Sequence, residues 1–167
     1  MSNSKVVLDA IDRKILKFLV KNARMPYLEI ARECGISGAA IHQRIKKLEE
    51  SGIIMGSRMI VNPKMLGFDV CAFISIRIQD PIMSHAVAEK IKSIPEVVEC
   101  HFVTGKHSLL LKIYCTNHDH LMEILINTIQ NIPGVLQTET MVSLDQAIER
   151  QVWVKSYPNK KVGVKKK

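Results

Sequence analysis

The stretch PYLEIARECGISGAAIHQRIKKLEESG, residues 26–52, decides how the first third of the chain folds. Pro26 suits a first helical position. Tyr27, Ile30, Ala31 and Cys34 then repeat at i, i+3, i+4 and i+7, the apolar face of a short helix. A glycine at 35 takes the left-handed conformation that closes a helix, and Ser37 caps a third one that turns Ile41, Ile45 and Leu48 inward until Gly52 stops it. Two helices joined through a glycine, with Ala31 at their crossing, predict a helix-turn-helix. Upstream, Leu8, Ile11, Ile15 and Leu19 recur at helical spacing, and Asp9 followed by Asp12 resembles a capping box, so a first helix is expected from about Asp9 to Asn22. Downstream, Ile53 to Val61 reads as two short strands turning around Gly56 and Ser57, a wing.

The outer arc of the third helix holds Ala39, His42, Gln43, Lys46 and Lys47, and its first turn holds Ser37, Gly38, Ala39 and Ala40. Small residues at a helix start allow close approach to base edges, an amide such as Gln43 pairs with adenine, and lysines further along lie where phosphates run. This is the layout of a recognition helix in a major groove, and the competing reading is an ordinary solvated helix face. Arg44 lies at the edge of the buried stripe, where it either contacts phosphate or pairs internally with Asp12. Arg58 in the wing is placed to touch the DNA backbone or minor groove.

Charge divides the chain. Residues 1–60 carry 11 Lys/Arg against 6 Asp/Glu, residues 61–154 carry 7 against 10, and residues 155–167 carry 6 against none. A basic head and tail fit a polyanion, with the mildly acidic middle left for another role. The longest apolar runs fall short of the roughly 18 residues of a membrane span, and the opening MSNSK lacks a secretory apolar stretch, so the chain reads as soluble and cytoplasmic. Cys34, Cys71, Cys100 and Cys115 are scattered without metal-ligand spacing, which argues against structural zinc and against a disulfide framework.

At Asn62-Pro63-Lys64-Met65-Leu66-Gly67 both periodicities break, which marks a hinge. Beyond it Phe68, Val70, Ala72, Ile74, Ile76 and Ile78 form one apolar face of a strand, and Asp69, Cys71, Phe73, Ser75, Arg77 and Gln79 the other. Val87, Ile91 and Ile94 mark a helix; Val97–Val103 and Leu109–Cys115 read as strands; Leu121, Leu125, Ile129 and Ile132 mark another helix; Val135–Leu144 is a last strand. Ile94-Pro95-Glu96-Val97, at the end of the first of these helices, is echoed by Ile132-Pro133-Gly134-Val135 at the end of the second. Two strand-helix-strand units in tandem predict a ferredoxin-like βαββαβ sheet with both helices on one face. The other face, with Cys71, Phe73, Leu110 and Tyr114, is then an apolar surface for a second protomer to cover. The expected divisions are a winged helix-turn-helix over 1–61, a linker over 62–67, the sheet domain over 68–154 and a basic tail over 155–167; the fold class is α+β.

Taken together, Leu8-Asp9-Ala10-Ile11-Asp12, Asn22-Ala23-Arg24, Ile36-Ser37, Arg44-Ile45-Lys46-Lys47-Leu48-Glu49 and Gly52-Ile53-Ile54 resemble the Lrp/AsnC family of feast/famine regulators, and the likeness runs from about residue 8 to residue 144. The resemblance implies a DNA-binding transcriptional regulator that dimerises through the sheet domain and associates into tetramers or octamers. It also implies an amino-acid effector near the loop joining the second and third strands of the sheet. Thr104-Gly105-Lys106-His107-Ser108 occupies that loop, with Lys106 and Ser108 where the family commonly has acidic residues. An ammonium group wants an anionic acceptor, so the expectation is an effector that is absent, or more anionic and held by Lys106 and His107.

His118 and His120 around Asp119 read as a capped turn rather than a metal site, and no cofactor is expected. His101 bears on one alternative, a siroheme decarboxylase of similar fold; a nucleoid architectural protein of low sequence preference is another. The lysines of the tail either bind DNA nonspecifically or only solubilise the chain.

Overall fold

The computed structural model describes residues 7–155, so the basic tail beyond Lys155 lies outside the described residues. The chain divides into two compact units, one comprising the residues up to Met59 together with those from Glu149 onward, the other Ile60–Ile148.

In the first unit, α1 (Ala10–Lys21) starts on a reciprocal capping box. The Asp9 carboxylate accepts from the Asp12 N–H at 2.7 Å, and the Asp12 carboxylate accepts from the Asp9 N–H at 3.2 Å. Next comes α2 (Tyr27–Cys34). Pro26 stands one position earlier than expected, as the N-cap, because its ψ of 133° is extended and only its φ suits the helix. Gly35, at φ 67°, closes α2, with the Ile36 N–H reaching back to the Ala31 carbonyl at 3.0 Å. Ser37 then caps α3 (Gly38–Glu50) by accepting from the Ala40 N–H at 3.2 Å. Ile15, Leu16, Ile30, Ala31, Ile41, Ile45 and Leu48 form the core.

The wing strands are not present: residues 53–61 contain no strand. The N–H groups of Ile53 and Ile54 both go to the Leu48 carbonyl, closing α3 over Gly52, so they are spent before a ladder can begin. Met55, Met59, Ile60 and Val61 are exposed, and an isolated hairpin with no packed face is marginal in water.

The second unit opens with a 3₁₀ turn over Lys64–Leu66 that Gly67 ends at φ 86°. Its sheet consists of β1 (Val70–Ile78), β2 (Val97–Phe102), β3 (Leu109–Cys115) and β4 (Val135–Ser143), all antiparallel in the order β2-β3-β1-β4, the expected ferredoxin-like topology. Helix α4 (Ser84–Ile91) and helix α5 (His118–Glu123) contribute Val87, Ile91 and Leu121 to a core with Ala72, Ile74, Ile76, Leu109, Leu111 and Ile113. The internal echo is structural. Ile94 and Val97 donate to the Ile91 and Ile94 carbonyls, and at the matching places of the second repeat Ile132 and Val135 donate to those of Ile129 and Ile132.

One irregularity was not expected. Residues Ile124–Ile129 continue α5 as a π-helix, with the Gln130 N–H bonded to the Leu125 carbonyl. That widened turn buries Ile124 and Ile129, five apart, and leaves Leu125 half-buried where a uniform α-helix predicts it inside.

The sheet face opposite the helices does bring together Cys71, Phe73, Leu110 and Tyr114, all half-buried. It is mixed rather than apolar, because Lys112 stands among them, opposite Phe73 and Glu99 in the register, with its Nζ 3.8 Å from Glu99 and 5.5 Å from the Tyr114 ring centroid. Burial pulls the Lys112 pKa down, but Tyr114 and Glu99 outweigh it and hold the ammonium charged. The division of the chain also differs from the sequence boundaries: 60–67 group with the sheet, and 149–154 return to the helices.

Candidate nucleic-acid interface

Helix α3 is fixed on one side and free on the other. Ile41, Ile45 and Leu48 are no more than 3% exposed, packed with Ile30 and Ala31 of α2 and Ile15 of α1. At roughly 25 cal/mol per Å² of apolar surface, each such side chain contributes on the order of 1.5–3 kcal/mol, enough to set the angle at which α3 leaves the unit. Its outward arc presents Ala39, His42, Gln43, Lys46 and Lys47, all exposed. Ser37 is exposed but engaged as the cap, and Gly38 lies close under Leu28, where an added Cβ would stand 3.0 Å from Leu28 Cδ2.

Arg44 makes the internal pair. Its Nη1 lies 2.6 Å from Asp12 Oδ1 and 2.6 Å from Asp9 Oδ2, so the guanidinium ties α3 to the capped start of α1. The hydrogen bonds that Arg44 donates to Asp9 and then to Asp12 raise its pKa. Partial burial of Asp9 works upward, yet the Asp12 N–H and the Arg44 charge together hold its carboxyl below the ordinary 3.8. Sequence reasoning named Asp12 for this role and missed Asp9, because a residue already engaged as a cap gave no second signal.

Around the arc, His42 stacks edge-on against Tyr27 with ring centroids 5.3 Å apart, a contact that brings the start of α2 to the same face. Lys46 Nζ lies 3.8 Å from Glu50, both side chains largely exposed. Arg58 sits in the exposed stretch after α3. Lys14 of α1 donates to the Glu33 carbonyl near the end of α2.

The loop between β2 and β3 forms a second group in the other unit. Thr104, Gly105 and Lys106 are exposed, and Gly105 adopts φ 108°. Ser108 pins the loop through its backbone, its N–H donating to the Ile76 carbonyl at 2.8 Å and its carbonyl accepting from Val103 at 3.0 Å. His107 Nε2 lies 3.4 Å from Glu139 Oε2 on β4, close enough for a charge pair but without hydrogen-bond alignment. Sequence reasoning missed Glu139, which is remote in the chain and reaches the loop only through the sheet.

The other polar clusters have local partners. Asn117 caps α5 by accepting from the His120 N–H at 2.8 Å, while His120 Nδ1 lies 3.1 Å from Thr116 Oγ1 and its Nε2 lies 3.5 Å from Glu96. His101 lies 3.3 Å from Glu99. All four cysteines are free thiols, and burial pushes that of Cys115 up to about 11. Among the described residues, no three His, Cys, Asp or Glu side chains converge on a metal-sized site, and no helix is long and apolar enough to cross a membrane.

Comparison with known proteins agrees with both units. Residues 8–55 match a winged helix-turn-helix DNA-binding family and residues 71–153 match the Lrp/AsnC ligand binding domain. The regulatory protein AsnC of Escherichia coli K12 is 39% identical over 146 residues, covering 87% of this chain and 96% of that protein. An HTH-type transcriptional regulator of Pyrococcus furiosus is 38% identical over 138 residues, covering 83% and 90%. The structure of E. coli AsnC superposes with a TM-score of 0.84, covering 88% of this chain and 99% of that one. A Neisseria meningitidis transcriptional regulator in complex with L-methionine gives 0.81 at 25% identity, covering 86% and 94%. With a DNA-binding helical unit, a ligand-binding sheet unit and relatives named as regulators rather than enzymes, the chain belongs to the Lrp/AsnC family of transcriptional regulators.

Proposed function

We propose that this regulator grips a partly palindromic duplex as a homodimer or a larger closed oligomer, with one α3 per half-site in the major groove. The observation that carries the reading is the exposed arc of Ala39, His42, Gln43, Lys46 and Lys47 on a helix whose opposite side is locked to α1 and α2. Gln43 reads a base edge, and Lys46, Lys47 and Arg58 meet phosphates, with His42 placed by Tyr27. Ser37, Gly38 and Ala39 let the helix start approach closely. Arg44 acts indirectly, because Asp9 and Asp12 occupy it. A second protomer covers the mixed sheet face, and a duplex partner places the work on the nucleoid, in the cytoplasm.

The effector reading rests on Thr104, Gly105, Lys106, His107 and Ser108 with Glu139. Lys106 and His107 supply donors for an acidic group, and Glu139 supplies the anionic acceptor that Ser108 lacks, so an amino acid or a more anionic analogue fits. Calorimetry with a panel of amino acids and dicarboxylates on wild type and Glu139→Gln tests it: heat lost in the variant supports the site, and silence across the panel removes it.

Selection of bound sequences from random DNA tests the main reading. Gln43→Ala relaxes one position per half-site by about 1–3 kcal/mol, and Lys47→Ala weakens all sequences alike and lowers the salt slope by about 1 per protomer. Binding without any enriched sequence converts the protein into an architectural one. Failure to bind any duplex at low salt overturns the reading.

A further inference from the structure

The chain leaves the helical unit at Met59 and comes back to it at Glu149. Two contacts anchor the return. Val154 packs, half-buried, against the core that α1, α2 and α3 share. Arg13 of α1 is only 8% exposed, and its Nη1 donates to the Lys155 carbonyl at 3.2 Å. A guanidinium carries five donors and no acceptor, so burying one is favourable only where acceptors come to it. Arg13 Nε has no hydrogen-bond partner among the described residues, which makes the Lys155 carbonyl one of few groups that serve it.

The consequence lies in charge and reach. Lys160, Lys161, Lys165, Lys166 and Lys167 all follow this anchor, with no acidic residue among them. A fully extended chain spans at most about 3.3–3.6 Å per residue, so the backbone of every one of these lysines stays within about 43 Å of the Lys155 anchor. That is little more than one turn of duplex, about 34 Å. With the return segment and tail included, the helical unit holds 18 Lys/Arg against 7 Asp/Glu, a net of +11, and Ile60–Ile148 holds 6 against 9, a net of −3.

We infer that residues 149–155 are a strap that seats the lysine-rich tail on the DNA-binding unit, and that the tail is a second, sequence-independent phosphate-binding element acting on the duplex that α3 reads. The inference rests on the duplex reading above. Lysine ammonium groups are point charges suited to phosphate oxygens and carry no base code, so the tail raises affinity and salt sensitivity equally for every sequence. The strap raises the local concentration of the tail at the duplex by shortening its tether.

The test compares the full chain, a chain stopped after Lys155, and a chain with the five tail lysines changed to Gln, each titrated with an operator duplex and a random-sequence duplex across salt. Because each phosphate neutralised contributes about 0.9 to the slope of log affinity against log salt, losing the tail lowers that slope by about 2–4 per protomer. Affinity for both duplexes falls tenfold or more, roughly in step, and their ratio is preserved. An unchanged slope overturns the tail contact. Tighter binding after truncation also overturns it, and assigns the tail instead to the acidic sheet unit. The strap is read separately with Val154→Ser and Arg13→Met in the full chain. Freeing residues 149–155 makes the tether longer by roughly half, weakening binding about twofold by the three-halves power of length. It also speeds hydrogen exchange at residues 150–155. Unchanged exchange in both variants overturns the strap. Should the full chain bind no duplex, the regulator reading fails first, and the tail contact is refuted with it.

Discussion

Among the described residues, the helical unit closes on seven buried apolar residues and encloses two charges, Asp12 and Arg13, while the sheet unit buries fifteen apolar residues and a single hydroxyl, Ser75. One element carries the difference in function. Helix α3 must stand at a fixed angle with a polar face outward, and a core this small gives it only three inward side chains, so the Arg44 bridge to Asp9 and Asp12 supplies a directional restraint that apolar contact does not. Strands in the sheet unit need no such device, because register and alternation already fix every side chain. Packing and a charge bridge together position this helix, and packing alone positions the sheet.

The first way to break this contrast is to remove apolar contact from the smaller core. Ile41→Ala deletes a fully buried side chain, at a cost of about 2–5 kcal/mol. A unit of this size has little stability in reserve. Hydrogen exchange followed through both units should show α1, α2 and α3 losing protection while β1 and β3 keep theirs. Equal loss in the two would mean that they unfold as one body.

Asp12→Ala attacks the restraint instead. It leaves Arg44 with the more exposed Asp9 alone and costs about 1–3 kcal/mol, read as a lowered midpoint in urea. Arg44→Lys keeps the charge but replaces the rigid planar group, whose Nη1 meets both carboxylates, with a freely rotating ammonium, and its DNA affinity should fall more than its stability. Acid sharpens the same point. The folded state holds the Asp9 carboxyl below 3.8, so its contribution is complete above that pH and is lost as pH falls through the lower folded value. Helical-unit protection should therefore decline below about pH 4 in wild type, and less steeply in Asp9→Asn, whose cap remains polar.

These features differ in how far local sequence foretells them. The capping box, the Gly35 closure and the Ser37 cap depend on residues three to five apart, and alternation along β1 marks its buried face, so each leaves a periodic trace. The paired turns at Ile94 and Ile132 were visible as a repeat. What escaped was set by contacts distant in the chain or by competition for one group. Glu139 meets His107 only once β4 is paired with β1, and Val154 and Lys155 join the helical core although the whole sheet unit separates them from it in the chain. The wing was expected from apolar residues around a glycine, and failed because the α3 end claims the first two N–H groups. The π turn shifts inward positions by a single residue, a change that apolar periodicity over two turns does not distinguish.

A smaller effect tests how α3 begins. Ser37→Ala leaves the Ala40 N–H without its acceptor and costs about 1 kcal/mol, while Ser37→Gly costs only a few tenths. Thermal midpoints of the helical unit should rank wild type, glycine, alanine. An alanine variant as stable as wild type would mean that water satisfies the group as well as the hydroxyl does.

The smallest stability effect belongs to Glu50→Gln. Its partner Lys46 is 3.8 Å away, and the two side chains are 75% and 66% exposed, so the pair is worth about 0.3–0.5 kcal/mol at most. The same substitution removes a negative charge from the face proposed to meet phosphate and frees Lys46 from its carboxylate partner. Duplex affinity should therefore rise, with a salt slope steeper by up to about 1 per protomer, against a nearly unchanged midpoint. A fall in affinity would assign Glu50 to holding Lys46 in its proposed reading position, which would extend to the outer face of α3 what Arg44 does at its edge, where charge adds direction to apolar contact in aiming this helix.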